Sequence, residues 1–149
     1  MERRATQTIN IKVKTDGIQL TSEYVNEDPE LAKTITSEKF GSFTDASKSL
    51  DTLYKMYTNL AYMYAGLALT QVLGIAVNFE RQAYDIIKNN SLAASDDMLR
   101  LVGLVGITTF TAVACGFAYD EKLKTKNKQS AVKTAERTGE QNFEDTYPL

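Results

Sequence analysis

Two uncharged, strongly apolar stretches dominate the pattern of hydrophobic and polar positions along the chain. The first covers residues 56–79, which are 24 residues between Lys55 and Glu80, and the second covers the 19 residues 101–119. As α-helices rising about 1.5 Å per residue, they would span roughly 36 Å and 28 Å, close to a hydrocarbon thickness of about 30 Å. The pattern predicts a mainly α membrane protein built on an antiparallel two-helix transmembrane hairpin.

Both helices are expected to continue well beyond their apolar stretches. Potential capping residues precede helix starts near Asp45 and Ser95, and proline is absent from both regions. We therefore predict a helical hairpin with long extramembrane extensions over residues 45–139. A ribbon and linker over residues 1–44 precede it, and an irregular tail over residues 140–149 follows it.

A soluble helical hairpin is the alternative interpretation of the same two stretches. Helices buried in a large core are also apolar on every side, and the first stretch contains Asn59, Thr70, Gln71 and Asn78. A two-helix protein offers no third helix to cover the remaining apolar faces, which favours the membrane interpretation.

Small and polar residues form a stripe on each apolar stretch, and such stripes let membrane helices approach closely. We predict that the two stripes face each other, with Phe110 and Phe117 on the opposite side of the second helix. The predicted packing residues are Asn59, Gly66, Thr70, Gly74, Asn78, Thr108, Ala112 and Gly116. A polar conduit or ligand pocket is the alternative role for the same residues.

The amino-terminal region alternates apolar and polar residues over positions 6–25, the pattern of a β-ribbon. Asp16-Gly17 favours a tight type I′ turn, which would pair Val13 with Leu20. A two-stranded ribbon cannot bury its own apolar face, so either this chain or a partner covers it, and we hypothesise a partner. The predicted docking residues are Ile9, Ile11, Val13, Leu20 and Tyr24.

Composition excludes much of the chemistry that proteins use. The net charge of −2 and pI near 5.2 argue against nucleic-acid binding. Histidine is absent, Cys115 is the single cysteine and no phosphate-binding motif occurs, so no cofactor, metal site, small-molecule substrate or enzyme activity is expected. The apolar stretches contain no carboxylate, which argues against an ion carrier.

The distribution of basic residues predicts the orientation of such a hairpin. Nine basic residues flank the terminal sides of the two stretches, against three in the connecting loop: Lys39, Lys48, Lys55, Lys122, Lys124, Lys126, Lys128, Lys133 and Arg137, against Arg81, Lys88 and Arg100. Both termini are therefore expected on the cytoplasmic or an equivalent side.

These features together suggest a protein whose parts all make contacts. We expect a non-catalytic structural or anchoring subunit of a larger membrane-associated assembly, with the lipid bilayer and other protein subunits as partners. A respiratory, secretion or virion-membrane complex would fit, for example through a membrane-anchored minor capsid protein. A small oligomeric pore-former of the holin or channel type is the alternative, which depends on whether the polar stripe lines a lumen.

Overall fold

The computed structural model describes residues 5–25, 33–89 and 95–149, without the side chains of residues 82, 85–87, 89 and 95–98. Its elements follow the order β1 (Thr6–Lys14), β2 (Gly17–Val25), β3 (Thr34–Phe40), α1 (Phe43–Asn89), α2 (Ser95–Thr138) and β4 (Asn142–Pro148). The predicted two long helices and amino-terminal ribbon are confirmed.

The chain divides into two compact units. The first, here called the sheet unit, comprises Met1–Tyr57 and Asp120–Leu149, and the second, the helical unit, is Thr58–Tyr119. Each long helix therefore contributes one part to each unit. The predicted boundaries at residues 44 and 139 follow the element types, whereas in these two units the ends of the helices belong with the strands.

The sheet unit contains a four-stranded antiparallel sheet in the order β3-β2-β1-β4. The predicted tail over residues 140–149 is instead mostly strand, and part of the predicted linker forms β3, while residues 26–32 of that linker lie outside the described residues. Phe143 shows why the tail is ordered: its side chain is buried in the core beneath the sheet, and its strand pairs with β1.

The ribbon turns one residue earlier than predicted. Thr15 and Asp16 form the turn, so that Val13 pairs with Ile18 and Ile11 with Leu20. Gly17 is the first residue of β2, with φ at +132°, and a Cβ at that position would lie 2.2 Å from the carbonyl oxygen of Phe40. The glycine is thus required by the approach of β3 and not by the centre of the turn.

The core of the sheet unit lies between the inner face of the sheet and the helix parts that belong to the unit. Its members are Ile9, Ile11, Ile18, Leu20, Ala46, Leu50, Ala131, Val132, Ala135 and Phe143. Small alanines on α1 and α2 let the helices lie close over the branched residues of β1 and β2. Burial of this apolar area is the main driving force for folding of the unit.

Local capping interactions define two helix ends in the sheet unit. The Ser42 hydroxyl accepts a hydrogen bond from the backbone N–H of Asp45 at 3.1 Å and donates to the Asp45 carboxylate at 2.8 Å, as an N-cap residue does. At the end of α2, Gly139 adopts a φ of +68° and its N–H bonds to the carbonyl of Ala135 at 3.0 Å.

Candidate functional site

A belt of exposed apolar side chains surrounds the helical unit. Its large members are Tyr62, Met63, Leu67, Leu69, Val72, Leu73, Val77, Phe79, Val102, Val105, Ile107, Phe110, Val113, Phe117 and Tyr119. Both helices are long and apolar enough to cross a membrane by length and composition. Exposed apolar patches of this extent usually mark a surface that contacts lipid or another protein.

The two helices of this unit meet along a seam with coiled-coil spacing. Among the partly or fully buried residues of the unit, two rows recur at alternating intervals of three and four: Ala61, Tyr64, Ala68, Gln71, Ile75 and Asn78 on α1, and Leu101, Leu104, Thr108, Thr111, Cys115 and Ala118 on α2. The Cys115 thiol donates to the carbonyl of Ala61 at 3.5 Å, which joins the two rows. A repeat averaging 3.5 residues keeps such a seam in contact.

The predicted packing stripes lie mostly away from this seam. Gly74, Asn78 and Thr108 are partly buried, whereas the other five predicted packing residues are exposed: Asn59, Gly66, Thr70, Ala112 and Gly116. A Cβ added at any glycine of the helical unit would meet no atom within 4 Å. Close approach at these glycines is therefore wrong as a prediction, because the space beside each of them is open.

Most polar side chains in the helical unit satisfy their hydrogen bonds within their own helix. Five donate to the carbonyl four residues earlier, over 2.7–3.0 Å: Thr70, Asn78, Thr108, Thr109 and Thr111. This arrangement removes the need for water as a partner. Thr58 and Gln71 differ, because Oγ1 of Thr58 and Oε1 of Gln71 are buried without a partner among the described residues.

The residues predicted to dock a partner are mostly used inside the chain. Ile9, Ile11 and Leu20 are 0 % exposed and covered by the chain's own helices and β4, so the hypothesis that a partner covers them is wrong. Val13 remains exposed, and Tyr24 is half-buried. Cover by the chain itself was the alternative to a partner, and the helix residues in the core provide it.

A polar network joins β1 to α2 beside the core. Gln7 is fully buried, its Oε1 accepts from the Asn127 amide at 3.1 Å, and its Nε2 donates to the carbonyl of Lys124 and to the Tyr24 hydroxyl, both at 3.3 Å. Sequence analysis did not identify Gln7 or Asn127 as network residues. The alternating pattern of β1 does not show that its buried position 7 is polar, and Asn127 lies in a polar part of α2.

A polar groove of about 390 Å³ opens beside this network within the sheet unit. It is lined by Tyr24, Thr34, Thr36, Glu38, Leu53, Tyr57, Glu121, Lys124, Thr125 and Lys128. Lys128 pairs with Glu38, which links α2 to β3. The groove therefore contains two ammonium groups and two carboxylates in its lining.

Lys124 is the most heavily engaged cation of the groove. Its Nζ lies 2.6 Å from Asp120, 3.0 Å from Glu121 and 4.8 Å from the centre of the Tyr24 ring. Burial by itself would lower the pKa of Lys124, but the hydrogen bonds and charges of the two carboxylates outweigh it, so its pKa is raised above 10.5. The side chain is therefore a cation at neutral pH.

Two hydroxyls beneath the groove have no hydrogen-bond partner in the described part of the chain. Ser22 and Thr36 lie directly opposite each other on β2 and β3, and the oxygen of each side chain is buried. Directly opposite residues project from the same face of a sheet, so both face the helices. Buried polar groups are usually satisfied, which makes this pair a feature that the fold alone does not explain.

Among the described residues, no cluster of three or more His, Cys, Asp or Glu could hold a metal ion. Comparison with known proteins adds no functional information, since no family model, curated protein or solved structure matches the chain.

Proposed function

We propose that the protein is a non-catalytic structural subunit, anchored in a lipid bilayer by the helical unit, that presents the sheet unit to a larger protein assembly. The observation that carries the proposal is the belt of exposed large apolar side chains on two helices without a charged residue between positions 56 and 79 or 101 and 119. In water this surface would favour aggregation, whereas a bilayer solvates it.

The internal hydrogen bonding of the polar residues supports lipid as the surrounding medium. Thr70 and Thr109 are exposed, yet each hydroxyl donates to a carbonyl of its own helix. A hydroxyl bonded in this way exposes mainly its methyl group. The segments therefore need no aqueous lumen to satisfy these side chains.

Contacts with protein partners would use the parts of the sheet that the helices leave open. β3 and β4 are edge strands, and edge strands accept further strands through their free backbone groups. Each edge strand contains two charged residues, Glu38 and Lys39 on β3 and Glu144 and Asp145 on β4. Pro148 on β4 further discourages strand addition, whereas β3 has no proline and its Ile35 is 59 % exposed. We therefore assign β3 as the docking edge. From the distribution of basic residues, we also propose that both termini lie on the cytoplasmic or an equivalent side.

A pore-forming oligomer is the second candidate. Asn59 lies exposed on the outer side of the helical unit together with Gly66 and Thr70. In a ring of several copies, this polar stripe could line a channel. Asn59→Leu would then abolish conductance in reconstituted vesicles, while an anchored structural subunit shows no conductance with or without the substitution.

Membrane insertion is tested by thiol labelling of a chain in which Cys115→Ser has removed the native cysteine. In open membrane fragments, a hydrophilic maleimide should label Ser37→Cys in the sheet unit and leave Val113→Cys in the helical unit unlabelled. Equal labelling of both positions, or recovery of the protein as a soluble monomer after cell lysis, would overturn the anchoring proposal.

Docking is tested by affinity purification in mild detergent. Ile35→Lys should release the chain from its assembly while leaving membrane insertion intact. The matched control is Thr21→Lys, which places the same charge on the neighbouring strand instead of the edge. Unchanged co-purification of the Ile35→Lys chain would exclude β3 as the docking edge.

A further inference from the structure

The groove of the sheet unit has a polar floor that the chain itself leaves unsatisfied. Thr36 lines the groove, and its hydroxyl oxygen is buried without a partner in the described part of the chain. Ser22, whose hydroxyl is also buried without a partner there, lies opposite Thr36 on β2 but is not part of the lining. Ser22 itself is 0 % exposed. A ligand in the groove that hydrogen-bonds to the Thr36 hydroxyl would give that hydroxyl the partner it lacks.

The charges of the lining select the kind of ligand. Lys124 and Lys128 supply two positive charges to the lining, and Glu38 and Glu121 supply two negative charges. Asp120, which lies outside the lining, pairs with Lys124 at 2.6 Å. A simple anion would be repelled by the carboxylates and a simple cation by the ammonium groups. A ligand that carries both signs meets a complementary group for each.

The side chains also retain hydrogen-bonding capacity. A lysine ammonium has three donors, and Lys128 uses one acceptor, Glu38, among the described residues. Glu38 in turn contacts this lysine through Oε1, and its Oε2 has no hydrogen-bond partner in the part of the chain that the structure describes. The ion pair can thus hold a bound group on each of its two sides.

The size and sequence position of the groove point to a lipid headgroup. Its volume of about 390 Å³ lies within the range of small-molecule sites. Tyr57 directly precedes the helical unit, and Glu121 follows that unit by two residues. If the helical unit crosses a bilayer, residues so close to its ends along the chain belong at the level of the lipid headgroups.

We propose that this groove binds a zwitterionic phosphoethanolamine group, and that a membrane lipid is its source. Lys124 and Lys128 bind the phosphate, with the hydroxyl of Thr36 as a further donor. Glu38 and Glu121 accept hydrogen bonds from the primary ammonium. The choice of lipid as the source rests on the proposed membrane anchoring, whereas the choice of headgroup rests on the groove alone.

The proposal is tested with the full chain purified in a maltoside detergent and examined by native mass spectrometry with added lipids. Phosphatidylethanolamine should bind at one molecule per chain, at least tenfold more tightly than phosphatidylglycerol, which lacks the ammonium. It should also exceed phosphatidylcholine, whose trimethylated nitrogen cannot donate to the glutamates. Equal binding of the three lipids would overturn the proposal.

Variants locate the binding in the groove. Lys128→Gln and Thr36→Val should each weaken phosphatidylethanolamine binding, by about tenfold and severalfold respectively. Lys126→Gln, an exposed neighbour on the same helix that does not line the groove, is the matched control and should bind as the unmodified chain does. Thr36→Val keeps both ion pairs, so it remains informative if Lys128→Gln does not fold. Unchanged binding by Thr36→Val would overturn the proposed contact.

A soluble headgroup separates this proposal from the proposed function. Calorimetry with glycerophosphoethanolamine should show binding that Lys128→Gln abolishes. Binding of this compound by a chain that fails to insert into membranes would uphold the headgroup site, exclude lipid as its source and overturn the anchoring proposal. Insertion without binding of either the lipid or the soluble compound would overturn the groove proposal and leave the anchoring intact.

Discussion

The side-chain amide of Asn127 donates to Oε1 of Gln7 at 3.1 Å, which links the first strand to the last helix across 120 positions of the chain. Both residues are almost completely buried. The bond lies beside the apolar core, where hydrophobic contacts alone would allow α2 to shift along β1. It therefore fixes the position of α2 relative to β1.

Asn127→Ala should therefore destabilise the sheet unit by about 1–3 kcal/mol, the usual cost of leaving a buried acceptor without its donor. The measurement is the unfolding temperature in mild detergent, followed by near-ultraviolet circular dichroism. Asn10→Ala, on the outer face of the same strand as Gln7, is the control and should change the temperature little. A larger effect at Asn10 would contradict this account.

Phe143→Ala should cost about 3–5 kcal/mol, the range for removing a buried phenylalanine. Phe143 is 7 % exposed in the core, and β4 pairs with β1 throughout its length. Thr146→Ala on the same strand removes an exposed hydroxyl and serves as the control. If the two variants unfold at the same temperature, the carboxyl-terminal strand does not contribute to the core.

Gly17→Ala should destabilise the ribbon, because its Cβ would lie 2.2 Å from the carbonyl oxygen of Phe40 and the backbone has a positive φ. We expect a loss of roughly 1–3 kcal/mol, the cost of one strained backbone position. Gly116→Ala should be well tolerated, since the space around that position is open. The unfolding temperatures of the two variants give the comparison. Equal decreases would contradict the requirement for glycine at position 17.

Ala118→Leu should disturb the seam of the helical unit, whereas Gly116→Leu should not. Ala118 is 2 % exposed, while Gly116 lies on the open side of α2. Overpacking of a filled position costs about 1–3 kcal/mol. Disulfide cross-linking between Ala61→Cys and the native Cys115 reports on the seam: its yield should fall with Ala118→Leu and stay unchanged with Gly116→Leu.

High pH should weaken the sheet unit through Tyr147 and Lys124. Burial, together with the carboxylate of Asp145, raises the pKa of Tyr147 to about 12 from 10.0, so its stabilising contribution is full below pH 10 and is lost as the pH rises through 12. The raised pKa of Lys124 acts in the same direction above pH 10.5. Tyr147→Phe should remove part of the loss in unfolding temperature between pH 10 and 12, and an unchanged pH profile would contradict this assignment.

The long helices and the ribbon were predictable because their signals are local. Helix α1 contains no proline, and the alternation around Ile9 and Ile11 persists over a whole strand. The register of the ribbon was not predictable. It depends on the approach of Phe40 to Gly17, and β3 was not recognised in the polar sequence that forms it.

The predicted packing stripes share only Asn78 and Thr108 with the observed seam, and the mismatch has a physical reason. A helix in water reveals its buried face by contrast with its polar face, but here Leu69 and Phe110 on the outer side are as apolar as Leu104 in the seam. Without that contrast, only the small residues distinguished one face from another. The polar groove was also beyond the sequence, since it joins residues from β2, β3, α1 and α2.

The pairing of β1 with β4 imposes an order on biosynthesis. β1 leaves the ribosome before either helix, yet its neighbour on one side is synthesised after both of them. The sheet unit therefore completes its hydrogen bonding only once residue 148 has emerged. Under the proposed membrane anchoring, residues 58–119 are by then already available to an insertion machinery. A defect in β4 should consequently leave chains that have been inserted but cannot complete the sheet. Such chains should be targets for quality-control proteases.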